Sequence, residues 1–340
     1  MVQYPRLGFG LNKERKIKRL LDYNDGEDMN LVLLLKDSSL RTSKNGKQYL
    51  VLQFSDSSGT IRGNLWNASQ QDADTFSPGT IVELSGRREE YQDRPQIRIY
   101  DLRVVGPNEG YDLSQFVHSA PIKQKDLEEE ISKRVFEILN PTWNRIVRYL
   151  LKKWNKEFFS YPAGKSNHHA VRNGLAFHTV SMLRDVEGIA NTYPQIDRSL
   201  LYAGCILHDM GKVIELSGPV ATTYTTEGNL IGHLVLIDEQ IMLAAHELKI
   251  DEHSEDLMLL RHLVLSHHGL PEYGAAHRPV VLEAEVLHKI DDLDATVYAI
   301  TNALQQTKPG EFTETIKSQD NRRFYRPKND DALDKAPKLE

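Results

Sequence analysis

Five segments in the second half of the chain have the composition of a metal site. Four carry histidines and the fifth carries carboxylates: Phe177-His178-Thr179, Leu207-His208-Asp209, Gly232-His233-Leu234, Ser266-His267-His268-Gly269 and Ile290-Asp291-Asp292-Leu293-Asp294. The His-Asp pair ends an apolar stretch, residues 200–207, so its side chains emerge at the edge of a packed core. Imidazoles and carboxylates are unfavourable to bury there unless a divalent ion satisfies them.

This set of donors indicates the class of metal. Imidazole nitrogens and carboxylate oxygens together suit Mn, Fe, Zn or Co, and the set lacks the thiolates of a structural zinc site. One aspartate has two oxygens and can bridge two ions. Two ions about 3.5–4 Å apart activate water and stabilise the leaving oxygen in phosphoester hydrolysis. The donors are numerous enough for such a two-metal site.

The elements that carry these segments are predicted to be helices. From about Lys123 onward the apolar residues recur with helical spacing, which predicts helices over residues 126–139, 175–190, 198–215, 229–248, 254–267 and 280–304. A further helix is predicted to begin at Asn140-Pro141, with a cap residue followed by proline at the first helical position.

The first third of the chain has the pattern of strands instead. Between Asn30 and Val105, apolar residues alternate with polar ones, and turn signals such as Asn45-Gly46 separate the runs. About five strands result, with one short helical or irregular insert between the third and fourth. Five short strands suit a small closed barrel of the OB type. A three-stranded meander with a separate hairpin fits the periodicity nearly as well.

Composition excludes several classes of protein. The chain has 340 residues, of which 40% are hydrophobic and 26% are charged, as in folded soluble proteins. Its longest apolar run, residues 31–35, is too short to span a membrane, and its N-terminus does not resemble a signal peptide. A single cysteine, Cys205, fits a reducing cytoplasm and is expected to be a small buried residue.

Charge and histidine content both change near residue 110. Residues 1–110 carry 16 Lys and Arg against 15 Asp and Glu, whereas residues 111–340 carry 26 against 33. All 13 histidines lie at or after His118. We therefore predict these divisions: a charged arm over 1–29, an OB-fold over 30–106, a linker with a helical extension over 107–164, a catalytic helical domain over 165–307, and a polar tail over 308–340.

The order H…HD…H…HH…D resembles that of the HD-domain metal-dependent phosphohydrolases, over roughly residues 165–305. More narrowly, the chain is similar to the YhaM-type 3′→5′ exoribonucleases, which place an OB-fold before an HD domain. The similar stretches are Asn173 to Thr179, Tyr224 to His233, and Leu265 to Gly269 with Glu272-Tyr273-Gly274. The resemblance implies a multidomain α and β protein, with a five-stranded OB-type barrel followed by an all-α HD bundle.

The resemblance also implies roles for the residues. His178, His208, Asp209 and Asp291 would hold one ion, with Asp209 as the bridge, and His233, His267 and His268 would complete the second. Lys212 would reach a phosphate oxygen and stabilise charge in the transition state. Asp294 is either a partner of the ligands or the last ligand itself, and we prefer Asp291 because it aligns with the terminal aspartate of the family. Two Mn²⁺ ions are expected, with Mg²⁺, Co²⁺ or Fe²⁺ as alternatives.

The function that follows is 3′-5′ degradation of single-stranded RNA to nucleoside 5′-monophosphates, with single-stranded DNA left open as a second substrate. No membrane association is expected, and a homo-oligomer is left open. The paired histidines are followed by Leu270-Pro271-Glu272-Tyr273-Gly274 rather than by the Gly-Tyr-Pro signature of cyclic-dinucleotide hydrolases. That departure disfavours a cyclic dinucleotide substrate.

Two other functions remain open from the sequence. One is an HD phosphohydrolase that acts on free nucleotides, with the barrel as a regulatory module. The other is a single-strand-binding adaptor whose helical domain is not catalytic.

The barrel contains residues suited to contact nucleic acid. Aromatic rings stack on bases, and cationic side chains follow the phosphates. Tyr91 with Arg94, in a predicted loop, is the preferred contact, and Trp66 and Phe54 are expected in the core. The phosphate contacts predicted on the strands and turns are Arg62, Arg98 and Lys47.

Overall fold

The fold comes from a computed structural model, which describes residues 18–56, 58–91, 94–106, 108–111, 116, 119–164, 169 and 171–335. The chain divides into two compact units, Met1–Tyr111 and Asp112–Glu340. The first 17 residues of the predicted charged arm lie outside the described residues. Leu20–Asp22 forms one 3₁₀ turn, and Leu20 is fully buried in the first unit.

The first unit is a closed five-stranded barrel. Its strands pair in the order β1-β2-β3-β5-β4, β4 closes antiparallel onto β1, and β3 pairs parallel to β5. The helix α1 lies between β3 and β4, where the insert was predicted. The OB-type barrel is therefore confirmed, and the meander with a separate hairpin is wrong. The bounds are β1 Asp28–Thr42, β2 Gln48–Asp56, β3 Gly59–Trp66, α1 Gln70–Thr75, β4 Ile81–Tyr91 and β5 Arg94–Val104.

Alternation along these strands sends every second side chain inward, where apolar residues fill the barrel. Phe54, predicted to be in the core, is fully buried there with Leu52 and Ile97. The outer surface consequently carries the charged and polar members of each strand.

The second unit is helical. Its helices are α2 Gln124–Glu137, α3 Pro141–Lys153, α4 Asn155–Phe158, α5 Gly174–Thr192, α6 Arg198–Leu207, α7 Lys212–Glu215, α8 Thr226–Ile231, α9 His233–Glu247, α10 Glu255–Ser266, α11 Leu282–Gln305 and α12 Asp331–Lys335. The predicted cap at the start of α3 is present, since Asn140 Oδ1 accepts the backbone N–H of Thr142 at 2.9 Å. Apolar faces of α2, α3, α5, α6, α9, α10 and α11 form one continuous core.

Two helices that the periodicity predicts as continuous are broken in the structure. The predicted helix over 198–215 ends at Leu207 and resumes only at Lys212. The predicted helix over 229–248 is interrupted by Gly232, whose φ of +80° is a conformation that favours glycine. Both breaks lie beside histidines of the candidate metal site, because His208 follows α6 and His233 begins α9.

The segment predicted as a polar tail contains folded structure. Isolated bridges join Phe312 to Tyr325 and Ile316 to Arg322, and the buried Arg326 donates to the carbonyl oxygen of Thr307 at 2.8 Å. Residues after Lys335 lie outside the described part. Among the residues described, no helix is long and apolar enough to cross a membrane.

Candidate metal centre and nucleic-acid surface

The five segments singled out in the sequence meet inside the helical unit. The imidazole rings form a chain of neighbours, with centroid distances of 5.3 Å for His178–His208, 4.9 Å for His208–His267, and 4.4 Å for His267–His268. His233 completes it at 5.1 Å from His268. Four of these five histidines stand just beyond a helix end or at a helix start, which lets side chains from different helices reach one point.

Three of these imidazoles are oriented by backbone carbonyls. Nδ1 of His208 lies 2.9 Å from the oxygen of Cys205, Nδ1 of His267 lies 2.7 Å from that of Val264, and Nδ1 of His268 lies 2.8 Å from that of Tyr273. A carbonyl oxygen can only accept, so Nδ1 carries the proton in each ring. The other ring nitrogen, Nε2, is left as a lone-pair donor for an ion when the ring is neutral.

The other two imidazoles are oriented by carboxylates. Nδ1 of His178 lies 2.7 Å from Oδ2 of Asp294, and Nδ1 of His233 lies 3.0 Å from Oε1 of Glu215. A carboxylate behind a metal-binding histidine fixes its tautomer and makes it a stronger donor. The sequence indicated Asp294 as one of two alternatives, but it gave no signal for Glu215.

Asp291 and Asp294 lie on opposite sides of the His178 ring. Oδ1 of Asp291 is 3.2 Å from Nε2, the nitrogen that faces the cluster, whereas Asp294 contacts Nδ1 on the far side. The two aspartates are one helical turn apart on α11, so the helix presents one to each edge of the imidazole.

His169 is a further member of this arrangement that the sequence did not predict. Its Nε2 lies 2.7 Å from the same Asp294 oxygen that contacts His178, and its side chain is buried. Its φ of +50° is uncommon for a non-glycine residue and costs energy that the surrounding contacts must offset. A Cβ on Gly174 would lie 2.0 Å from the carbonyl oxygen of His169, so only glycine permits this close approach.

Asp209 lies between two groups of imidazoles. Its Oδ2 is 3.5 Å from Nε2 of His208 and 3.7 Å from Nε2 of His178. Its Oδ1 is 3.3 Å from Nε2 of His233 and 3.8 Å from Nε2 of His267. The buried Lys212 ammonium, predicted to reach substrate phosphate, lies 2.6 Å from Oδ2.

Several buried polar atoms at this point lack the hydrogen bonds that burial demands. Among the described residues, Asp209 Oδ1, His233 Nε2 and His267 Nε2 are buried and have no hydrogen-bond partner. Such atoms are rare in folded proteins because desolvation is then uncompensated. Their convergence, with donor atoms of His233, His267 and His268 all within 4.8 Å of one another, fits a divalent cation.

The charge states of Asp209 and His267 also fit a cation. Burial opposes ionisation of Asp209, but Lys212 and His208 outweigh it and hold the pKa of its carboxyl well below the usual value. Burial and the neighbouring His208 and His268 hold the pKa of His267 well below its usual value. His178 differs, because its bonds to Asp291 and Asp294 overcome burial and raise its pKa to about 10.

The residues assigned no site role occupy other surroundings. His246 pairs with Glu252 on the surface, and His288 Nδ1 lies 2.9 Å from the carbonyl oxygen of His267. Cys205 is buried, and burial raises the pKa of its thiol, as expected of an unreactive residue. His118 lies outside the described residues.

The predicted nucleic-acid contacts on the barrel fall in three places. Tyr91, 63% exposed, ends β4 and pairs in register with Arg94 at the start of β5, rather than lying in a loop. Arg62 and Arg98 lie on the outer face of the parallel β3–β5 pair, where Arg98 is also 3.6 Å from Glu89. Lys47 is exposed just before β2.

The prediction that Trp66 is a core residue is wrong. The side chain is 60% exposed and stacks on Tyr49 of the neighbouring strand, with ring centroids 4.8 Å apart and an interplanar angle of 27°. Trp66 ends β3 on the same face as Arg62, and period-two alternation directs both outward. A surface cavity of about 460 Å³ beside it is lined by Asn64, Gln96 and Arg98, among others.

Comparison with known proteins gives matches to both units. A family model described as HD domain matches residues 175–296, and one described as OB-fold nucleic acid binding domain matches residues 37–105. The 3′-5′ exoribonuclease YhaM of Bacillus licheniformis is 47% identical over 310 residues, which are 91% of this chain and 98% of the relative. A solved structure, the second OB-fold domain of replication protein A from Methanococcus maripaludis, is 19% identical, covers 28% of this chain and 98% of its own, and has a TM-score of 0.22.

Proposed function

The chain belongs to the family of the 3′-5′ exoribonuclease YhaM, and we propose that it hydrolyses single-stranded RNA from the 3′ end with two divalent ions held by the helical unit. The products are nucleoside 5′-monophosphates. The observation that carries this proposal is that buried lone-pair atoms converge at Asp209. Its Oδ1 and the Nε2 atoms of His233 and His267 lie close together, and among the described residues none of the three makes a hydrogen bond.

The ligands divide around Asp209, whose two oxygens face different imidazoles. His178, His208 and Asp291 would share one ion with Asp209, and His233, His267 and His268 would hold the second. Asp291 is assigned as the ligand because it faces Nε2 of His178, whereas Asp294 contacts Nδ1. When bound, the ions supply activation of water near neutral pH and stabilisation of the charge on the departing oxygen.

Side chains around the ligands have separate tasks. Lys212 holds one oxygen of Asp209 and adds a fixed positive charge at the edge of the site, where it favours the negative charge that develops on phosphate. Asp294 and Glu215 keep Nε2 of His178 and of His233 directed into the cluster. These residues arrange the site before substrate arrives, so that little reorganisation is needed during the reaction.

The barrel would hold the RNA strand. Trp66 and Tyr49 offer a stacked aromatic surface, and Arg62 and Arg98 on the same outer region offer positive charge. Stacking and phosphate contacts of this kind do not distinguish the bases, and they accept single-stranded DNA as well. Tyr91, Arg94 and Lys47 extend the positively charged and aromatic surface.

The metal and the compartment are also proposed. A site of imidazoles and carboxylates accommodates Mn²⁺, which we propose as the metal, and it also accommodates Fe²⁺ or Co²⁺. The lone buried Cys205 fits a reducing cytoplasm, where the protein would meet its RNA substrates.

A direct test uses the purified full-length protein. Metal content is measured first, and the protein is then given 5′-labelled single-stranded RNA with either a free or a blocked 3′ end. We expect about two divalent ions per chain, progressive shortening of the free RNA, mononucleotide products, and protection by the block. Hydrolysis of free nucleotides without shortening of RNA would refute the exoribonuclease function.

A further inference from the structure

The metal cluster is closed to solvent at some of its candidate ligands and accessible at others, and Asp291 is among the accessible ones, with 16% of its side chain exposed. His178, His208 and His267 are completely buried, whereas His233 keeps 8% of its surface exposed and His268 is half-buried. His233 and His268 are neighbours, with ring centroids 5.1 Å apart. The His233–His268 pair is therefore one accessible end of the cluster, and a terminal nucleotide whose phosphate enters there lies beside these two residues.

An exposed tyrosine is fixed at this end by its backbone. Pro271–Tyr273 forms a 3₁₀ turn after α10, in which the N–H of Tyr273 donates to the carbonyl of Leu270 at 2.9 Å. The carbonyl of Tyr273 accepts the hydrogen bond from Nδ1 of His268 at 2.8 Å. The Tyr273 side chain is nevertheless 69% exposed. Its main chain is thus one hydrogen bond from a candidate ligand, while its ring remains open to a substrate.

Exposed aliphatic residues lie beside the other accessible histidine. Leu230 and Ile231 end α8 and are 77% and 48% exposed, and only Gly232 separates them from His233. Apolar side chains at the mouth of a cluster of charged and polar groups suit a ligand that is charged at one end and flat and apolar at the other. The phosphate and base of one nucleotide have this combination.

We propose that Tyr273 stacks on the nucleobase of the 3′-terminal nucleotide and thereby positions its phosphodiester at the metal cluster. The inference rests on the proposed exoribonuclease function and names the residue that holds the terminal nucleotide. A tyrosine ring stacks on every base, so this subsite accepts all four nucleotides but requires that a base be present. Processive removal of mixed sequences needs that tolerance.

The test compares two substrates that differ only in the terminal base. One single-stranded RNA ends in an ordinary nucleotide and the other in an abasic nucleotide, and single-turnover release of the last residue is measured with the full-length protein. For Tyr273→Ala we expect kcat/KM to fall about tenfold on the ordinary RNA and to stay the same on the abasic RNA. Tyr273→Phe keeps the ring and should retain the wild-type rate on both.

A binding measurement separates stacking from chemistry. RNA with 2-aminopurine at its 3′ terminus is mixed with the inactive Asp209→Asn variant, alone and combined with Tyr273→Ala. Stacking quenches 2-aminopurine fluorescence, and we expect the quenching to be lost in the double variant. Tyr193→Ala, which removes another half-exposed tyrosine at the end of α5, is the matched control and should change neither readout.

The outcomes distinguish this inference from the proposed function. If wild-type protein does not shorten RNA, the proposed function fails whatever Tyr273 does. If the wild-type protein shortens RNA, two results with Tyr273→Ala refute the stacking role while the exoribonuclease function stands. One is an equal loss of rate on the ordinary and the abasic RNA, and the other is no loss of rate on either. Affinity for Mn²⁺, measured by calorimetry, should be unchanged in Tyr273→Ala because the carbonyl that orients His268 belongs to the backbone.

Discussion

The barrel carries its arginines and aromatic rings on the outer surface, whereas the helical unit buries its histidines and aspartates. The side chains of Arg62, Arg98 and Trp66 are exposed to solvent, while those of His178, His208 and Asp209 are nearly inaccessible. The first arrangement suits reversible contact with a long, flexible polyanion. The second suits catalysis, since electrostatic groups act more strongly where water is excluded and their positions are fixed in advance.

The largest effect should come from removing the central carboxylate charge of the helical unit. In Asp209→Asn an amide replaces the group that faces both sets of imidazoles, and we expect turnover of RNA to fall about a thousandfold or more. Affinity for single-stranded RNA, measured by fluorescence anisotropy, should change little because the barrel surface is untouched. Retention of turnover, or loss of RNA binding in a folded variant, would contradict the assignment of catalysis to the helical unit and of RNA binding to the barrel.

A smaller effect is expected from His169, which shares an oxygen of Asp294 with the candidate ligand His178. His169→Ala removes the group that shares the Asp294 oxygen with His178, and affinity for Mn²⁺ should fall about 10- to 100-fold. His169→Gln retains an N–H donor and should recover most of the affinity. Calorimetric titration of metal-free protein measures both. Unchanged affinity in His169→Ala would show that Asp294 is held sufficiently by other contacts.

The barrel should respond in the complementary way. Trp66→Ala removes an exposed stacking ring and should weaken RNA binding by about 1–3 kcal/mol, while hydrolysis of a small chromogenic phosphodiester continues at the wild-type rate. Trp66→Phe is the conservative control. Tyr91→Ala tests whether the β4–β5 end contributes comparably. A variant at Trp66 that loses small-substrate activity would contradict the assignment of this surface to RNA binding alone.

Sequence spacing predicted the convergence of the helical residues because each of those histidines stands beside a helix break or on an apolar helix. It could not predict which groups orient them. His169 and Asp294 are 125 positions apart in the sequence, and Glu215 and His233, which are also in contact, are 18 positions apart. Carboxylates are common in this acidic segment, and nothing in the local pattern marks Glu215, whereas Asp294 could be given only as one of two alternatives.

The errors in the barrel and in the helix bounds have physical causes too. The prediction of Trp66 in the core rests on its large apolar ring, but the alternation of β3 places it on the outward face with Arg62. The helices over 198–215 and 229–248 keep helical periodicity across their breaks. The turn after His208 and the positive φ of Gly232 depend on tertiary contacts, so periodicity cannot locate them.

The smallest effect is expected at an ion-pair cluster on the barrel. Arg103 lies 2.6 Å from Glu83 and 2.9 Å from Glu109, and all three side chains are partly exposed. Hydrogen bonds from Arg103 and from the N–H of Gly106 lower the pKa of Glu109 from 4.5 to about 2. A carboxyl group whose pKa is lower in the folded than in the unfolded protein stabilises the fold at pH values above its ordinary pKa. For Glu109 this stabilisation is lost as the pH falls from about 4.5 to about 2.

Arg103→Gln should therefore raise the pKa of Glu109 toward its ordinary value, which NMR titration of its carboxyl carbon measures, and should lower the urea midpoint at neutral pH only slightly. Solvent screens exposed pairs, and holding long side chains in one geometry offsets much of the attraction. A large drop in the midpoint would mean that the barrel, like the helical unit, depends on its charged groups for internal order. The barrel and the helical unit would then both depend on their charged groups for stability, and the difference between the exposed charges of the barrel and the buried charges of the helical unit would be smaller.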